Sequence, residues 1–131
     1  MTHFKLNIWM NENKIFVFGS NTEGKHGKGA ALEARLKHGA KYGQSKGLQG
    51  NSYAIVTKDL KKGLRSVSLD SIKQQINEFI DFATNRPHLE FYVCELGCGL
   101  AGFKIEEIAP LFTNIPKNVE LNINFEKYLN L

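Results

Sequence analysis

The sequence has no apolar run approaching the roughly 20 residues of a membrane span, which argues against a transmembrane helix. Its first residues, MTHFKLNIWMNEN, mix polar and apolar side chains and lack the apolar centre of a signal peptide; a cytoplasmic location is expected. Cysteine is scarce. Cys94 and Cys98 stand four residues apart, which is not CxxC, and no HxxxH motif accompanies them, so no metal site is expected. A strand end and the loop after it do not suit a structural disulfide, and buried free thiols are the plain reading of the pair. The GxxxxGK[ST] motif is absent and GxGxxG is matched only imperfectly, which disfavours a Walker ATPase and a standard dinucleotide fold. There is also no basic tail, no DNA-reading helix, no internal repeat, no low-complexity segment and no linker. Residues 1–131 therefore read as one domain, with no cofactor implied.

What is present suits a globular protein. A chain of 131 residues can bury a real core, and 42% of it is hydrophobic against 23% charged. The formal net charge is +4, and part of it gathers at Lys25, Lys28, Lys41, Lys46, Lys58, Lys61 and Lys62. Such a cluster suits phosphates, on a nucleotide or a nucleic acid; a solvated, mildly basic surface explains it equally well.

Strands and helices alternate along the chain. FKLNIWM predicts an edge strand over Phe4–Trp9, and KIFVFG a buried strand over Lys14–Gly19. A helix is predicted from Gly29 to His38, closed by Lys37, His38 and Gly39. Residues 39–51 read as a polar, glycine-rich connection, long enough to suggest a functional or mobile loop. SYAIVTK predicts a strand over Ser52–Lys58. In SLDSIKQQINEFIDFATNRP, Ile72, Ile76, Phe79, Ile80 and Ala83 fall on one helical face. Ser71 with Gln74 has capping-box spacing, Ser68 is an alternative cap, and Asn85 and Pro87 end the helix. A strand over Glu90–Leu96, a helix over Lys104–Phe112 and an alternating strand over Val119–Phe125 complete the pattern. The expected fold class is α/β, a three-layer α-β-α sandwich.

Two glycine-rich loops each follow a predicted strand: FGSNTEGKHGKGAA and LGCGLAGF. Glycine is retained where the chain takes a positive φ or where a ligand approaches the backbone. The first loop opens a helix, whose unpaired N–H groups and dipole attract an anion. Gly19, Ser20, Gly27, Gly29 and Ala30 leave room for a ligand, Lys28 adds charge, and Asn21 is placed to meet a polar group such as a ribose hydroxyl. In the second loop, Gly97, Gly99 and Gly102, with Cys98, Leu100, Ala101 and Phe103, form a candidate anion-binding nest. Either loop alone also reads as a structural turn. In α/β sheets ligands sit at the carboxyl ends of the strands, where both loops lie, so one ligand could meet both.

In their order the two loops resemble those of the macro domain family, which binds ADP-ribose. GSNTEGKHGKGAA is similar to that family's asparagine-bearing segment, and LGCGLAGF to the later loop that wraps the diphosphate. The likeness extends over roughly residues 14–125 and is closest to the branch that removes ADP-ribose from acidic side chains, whose loop reads GCGLD; small bacterial and phage macro-like proteins are also similar. The resemblance implies a macro-domain-like fold with a mixed central sheet. It also implies a nucleotide diphosphate such as ADP-ribose as ligand, and an ADP-ribosylated protein or nucleic acid as a further partner. Ala101 stands where that branch has a catalytic aspartate, and an alanine can serve neither as acid, base nor nucleophile. The branch's catalytic lysine has Lys46 as its nearest basic candidate, and its acidic adenine contact has no counterpart.

Three residue types remain as candidate catalysts. Asp59, at a strand end, is the best carboxylate for activating a water; His26, in the first loop, could donate to a phosphate oxygen or act as general acid. Each also reads as an ordinary surface residue of a turn or loop. Cys98 lies between two glycines, and nearby amides could lower its thiol pKa to make a nucleophile. Glu95 precedes the second loop and could hydrogen-bond its amides. Three functions compete: a binder of ADP-ribose or a related nucleotide diphosphate, with hydrolysis of a phosphate or ADP-ribosyl ester as its chemistry; a non-catalytic nucleic-acid or protein-interaction module; and a cysteine-dependent transferase.

Overall fold

The computed structural model describes residues 13–130, so the strand expected over Phe4–Trp9 lies outside the described residues. Five strands form one mixed sheet in the order β2-β3-β1-β4-β5. They are β1 (Ile15–Asn21), β2 (Gly47–Gln49), β3 (Ser52–Lys58), β4 (Phe91–Val93) and β5 (Val119–Leu121). β1 runs parallel to both β3 and β4, β5 is parallel to β4, and only β2 is antiparallel to its neighbour.

The period of two along β1 sends side chains to two different layers. Phe16 and Phe18 face α1 (Gly29–Lys37), whose Ala31 and Ala34 are small enough to let the helix sit close over them and Ala54. Ile15 and Val17 face the larger core, where α2 (Leu69–Thr84) contributes Ile72, Ile76, Phe79 and Ala83. The helical face read from the sequence is the buried one. Ser68, rather than Ser71, caps α2: its hydroxyl accepts from the Ser71 amide at 3.1 Å. Gln75 ties α2 to β3, its side-chain amide pairing with both the N–H and the C=O of Val56 at 2.8 and 2.9 Å.

Three expectations are corrected. The connection over residues 39–51 contains β2, which pairs with β3 through a two-residue Gly50–Asn51 turn. The helix expected over Lys104–Phe112 is α-helical only in α3 (Ile105–Ile108) and tightens to a 3-10 turn at Ala109–Leu111, where Pro110 offers no N–H. The strand expected over Val119–Phe125 ends at Leu121. Asn122 then caps α4 (Ile123–Leu129), accepting from the amides of Asn124 and Phe125 at 3.1 and 3.0 Å. Two apolar residues, Ile123 and Phe125, are too few to tell a strand from the first turn of a helix; Phe125 is buried and Ile123 is exposed.

Candidate functional site

β1 is the central strand, and its two parallel neighbours are reached by crossovers over opposite faces of the sheet. A crevice opens where such connections diverge. At the carboxyl ends of β1, β3 and β4 lies a cavity of about 430 Å³, within the usual range for small-molecule sites. The first glycine loop walls one side and the second walls the other. They nearly meet: a Cβ on Gly29 would lie 3.7 Å from Leu100 Cδ1.

Most of the ligand-binding residues expected from sequence line this one cavity. From the first loop come Gly19, Ser20, Asn21, Gly27, Lys28, Gly29 and Ala30, and from the second Gly97, Gly99, Leu100 and Ala101. Cys98, Gly102 and Phe103 are not in the lining. Lys25, Lys58 and Glu95 line the cavity as well. Lys58 belongs to the lysine cluster seen in the sequence, and the strand register places it by setting Asn21 opposite it across a local irregularity in the β1–β3 ladder.

The N–H groups of Gly29, Ala30 and Ala31 open α1 and meet no acceptor among the described residues. The same holds for the amides of Gly99, Leu100 and Ala101 in the second loop. Lys25, Lys28 and Lys58 add positive charge to the lining. Asn21 shapes the start of the first loop, its Oδ1 accepting from the amides of Glu23 and Lys25 at 3.1 and 3.2 Å. Its Nδ2 has no acceptor among the described residues. Gly19 is required by close packing, since a Cβ there would lie 2.9 Å from Thr57 Oγ1 and 3.3 Å from the Gly97 amide.

His26 is fully buried and is not part of the lining. Its Nε2 lies 2.9 Å from the Gln44 carbonyl and 3.1 Å from Gln49 Oε1. Both are acceptors, so Nε2 carries the proton and Nδ1 is left as a buried acceptor with no partner among the described residues. Gln49 Oε1 also accepts from the Lys41 amide at 2.8 Å, and Ser20 Oγ donates to the Ser45 carbonyl. The first loop is thus fastened to the connection before β2 by buried polar contacts.

Asp59 also lies outside the lining. Its carboxylate accepts from the Lys61 amide at 3.0 Å and closes the turn after β3. The thiols are far from nucleophilic. Burial, reinforced by Glu95, Glu107 and Glu106, pushes Cys98 up to about 11, which corrects the idea of a loop-activated thiolate. Burial likewise pushes Cys94 up to about 12.

The second loop is held from below. Gly97 adopts φ +82°, and Ile108 packs 3.2 Å from where its Cβ would stand. Arg65 donates from its backbone to the Ala101 carbonyl at 2.7 Å, covers the Phe103 ring at 4.8 Å and pairs with Glu107 at 2.6 and 2.7 Å. That pairing, with the Lys104 amide, holds the Glu107 carboxyl down to about 2.

Comparison with known proteins bears on the fold. No family model and no curated protein sequence matches the chain. A solved structure of Thermosipho africanus DarTG in complex with ADP-ribose is similar, with a TM-score of 0.59 and 17% identity over 88% of this chain. The match covers 39% of that longer chain. The expected α/β, macro-domain-like fold with a mixed sheet is borne out. Among the described residues no helix is long and apolar enough to cross a membrane.

Proposed function

We propose that the cavity binds ADP-ribose or a closely related nucleoside diphosphate, with the diphosphate between the amides of Gly29–Ala31 and those of Gly99–Ala101. The observation that carries this reading is that two sets of amides with no acceptor among the described residues belong to residues of two separate loops that line one cavity, together with Lys25, Lys28 and Lys58. A diphosphate has two anionic centres and can engage both walls at once. Asn21 Nδ2 is the donor for a sugar hydroxyl. The fold's likeness to a protein solved with ADP-ribose is consistent with this reading.

The proposal is for binding. Ala101 brings no acid or base to the second loop, and Asp59 and His26 lie outside the lining. Neither is therefore assigned a step in hydrolysis. Titration calorimetry with ADP-ribose on the folded chain is the test. Saturable heat with ADP-ribose, and none with ribose alone, is expected. No heat at millimolar ADP-ribose would remove the proposal.

A further inference from the structure

Charge is unevenly divided along the chain. Between residues 13 and 65 eleven lysines and arginines stand against three acidic residues, whereas residues 66–131 hold five against nine. Ion pairs between the two stretches cancel part of the excess: Lys14 with Glu120, Lys46 with Glu78 and Arg65 with Glu107. Lys28, Lys41, Lys58, Lys61 and Lys62 form no ion pair among the described residues. The fold gathers these five on joined segments. The first glycine loop carries Lys28. Its Thr22 amide donates to the Lys58 carbonyl at 3.0 Å, and the Thr22 hydroxyl accepts from the Leu60 amide at 3.2 Å. These bonds tie the loop to the turn that bears Lys61 and Lys62. The Gly43 amide donates to the Gly24 carbonyl at 2.8 Å, which ties the same loop to the segment bearing Lys41 and Tyr42.

A single small ligand in the cavity would meet only part of this charge. Lys28 and Lys58 line the cavity, whereas Lys41, Lys61 and Lys62 do not, and all three are exposed. Uncancelled cations that extend beyond a cavity suit a polyanion. Next to Lys41 in the chain, Tyr42 is 66% exposed and offers a ring on which a base can stack. An acidic peptide has the charge but no base, so Tyr42 favours a nucleic acid. We infer that these three segments form a binding surface for single-stranded nucleic acid, with the lysines on its phosphodiester backbone and Tyr42 against a base. The inference rests on exposed charge outside the cavity and stands apart from the diphosphate reading.

The experiment is fluorescence anisotropy with a labelled oligothymidylate of about 12 nucleotides, within the usual span of single-strand sites. Binding is titrated from about 50 to 200 mM salt, and the logarithm of affinity should fall against that of salt with a slope near −3.5, at roughly 0.7 for each of the five lysines on a phosphate. Joint Lys61→Ala and Lys62→Ala substitution should make that slope shallower by about 1.4. Tyr42→Ala should cost about 10-fold in affinity, in the range of one lost stack, and leave the slope unchanged. Joint Lys117→Ala and Lys127→Ala substitution, which removes two exposed cations of the acidic stretch, should change neither. A thermal melt of each variant checks its fold. No binding at about 50 mM salt, or a slope shallower than about −1.5, would overturn the surface. So would an equal effect of the Lys117 and Lys127 pair. Displacement of the oligonucleotide by polyglutamate at equal charge would overturn nucleic acid as the occupant. Full affinity in Tyr42→Ala, or equal affinity for a duplex of the same length, would overturn the single strand. Oligonucleotide binding without any heat from ADP-ribose would keep this surface and remove the diphosphate site alone.

Discussion

The two loops that wall the cavity do the same job with opposite materials. The first is fastened by polar contacts, buried or partly buried from His26 Nε2 to the Gln44 carbonyl and Gln49 and from Ser20 to Ser45, and exposed from Asn21 to two loop amides. The second rests on apolar packing under Gly97 and on a surface bridge between Arg65 and Glu107. Buried polar groups are costly when a partner is lost, whereas an exposed ion pair contributes little. The first loop should therefore fail when a contact is removed, and the second when something is added. His26 sharpens the contrast: it holds φ +48°, a left-handed backbone that a side chain bears only when its surroundings impose it.

The largest effect is expected from His26→Ala. It deletes a fully buried ring and orphans its polar partners, costing about 4 kcal/mol by the usual cavity and hydrogen-bond terms. Urea unfolding would measure it, and a loss under about 1 kcal/mol would break the account of the first loop.

Gly27→Asp and Gly99→Asp test the walls as a pair. Neither glycine has an atom within 4 Å of a built Cβ, so both variants should fold with unchanged melting temperatures. Each sets a carboxylate beside the site of the diphosphate. At roughly 5 Å and an effective dielectric of about 20 this costs about 3 kcal/mol, or roughly a 100-fold loss of ADP-ribose affinity. Loss in only one variant would mean that one wall alone meets the ligand.

Gly97→Ala adds a methyl at φ +82° against Ile108 and should cost about 2 kcal/mol, read by the same urea transition. The smallest effect belongs to Glu107→Gln. The folded carboxyl is held down to about 2, below the unfolded value near ~4.3. The stabilisation is therefore fully present above about pH 4.3 and is lost as pH falls through about 2. The melting-temperature gap between wild type and Glu107→Gln should be small at pH 7, close as the solution is acidified towards pH 2, and shrink with added salt.

The sequence made the framework and both loops legible because their signals are local. β1 and β3 are short apolar runs, α2 shows one clean apolar face, and glycine spacing marks the two walls. What stayed hidden depends on distant partners. β2 is three residues long and disguised by glycines, although the Gly50–Asn51 pair before Ser52 is a hairpin signal. α4 begins at a cap, Asn122, whose other partner is Val93 on a different strand. Nothing local distinguishes His26 from a surface histidine, because Gln44 and Gln49, which bury it, lie 18 and 23 residues away. Lys58 and Glu95 entered the site through sheet order, which brings the ends of β3 and β4 to either side of β1.

The most direct test of a ligand held between both loops is a titration of 15N-labelled protein with ADP-ribose, following backbone amide resonances. The amides of Gly29, Ala30 and Ala31 and those of Gly99, Leu100 and Ala101 should shift together and saturate with one dissociation constant. Shifts confined to one loop, or two loops saturating at different concentrations, would contradict the shared site.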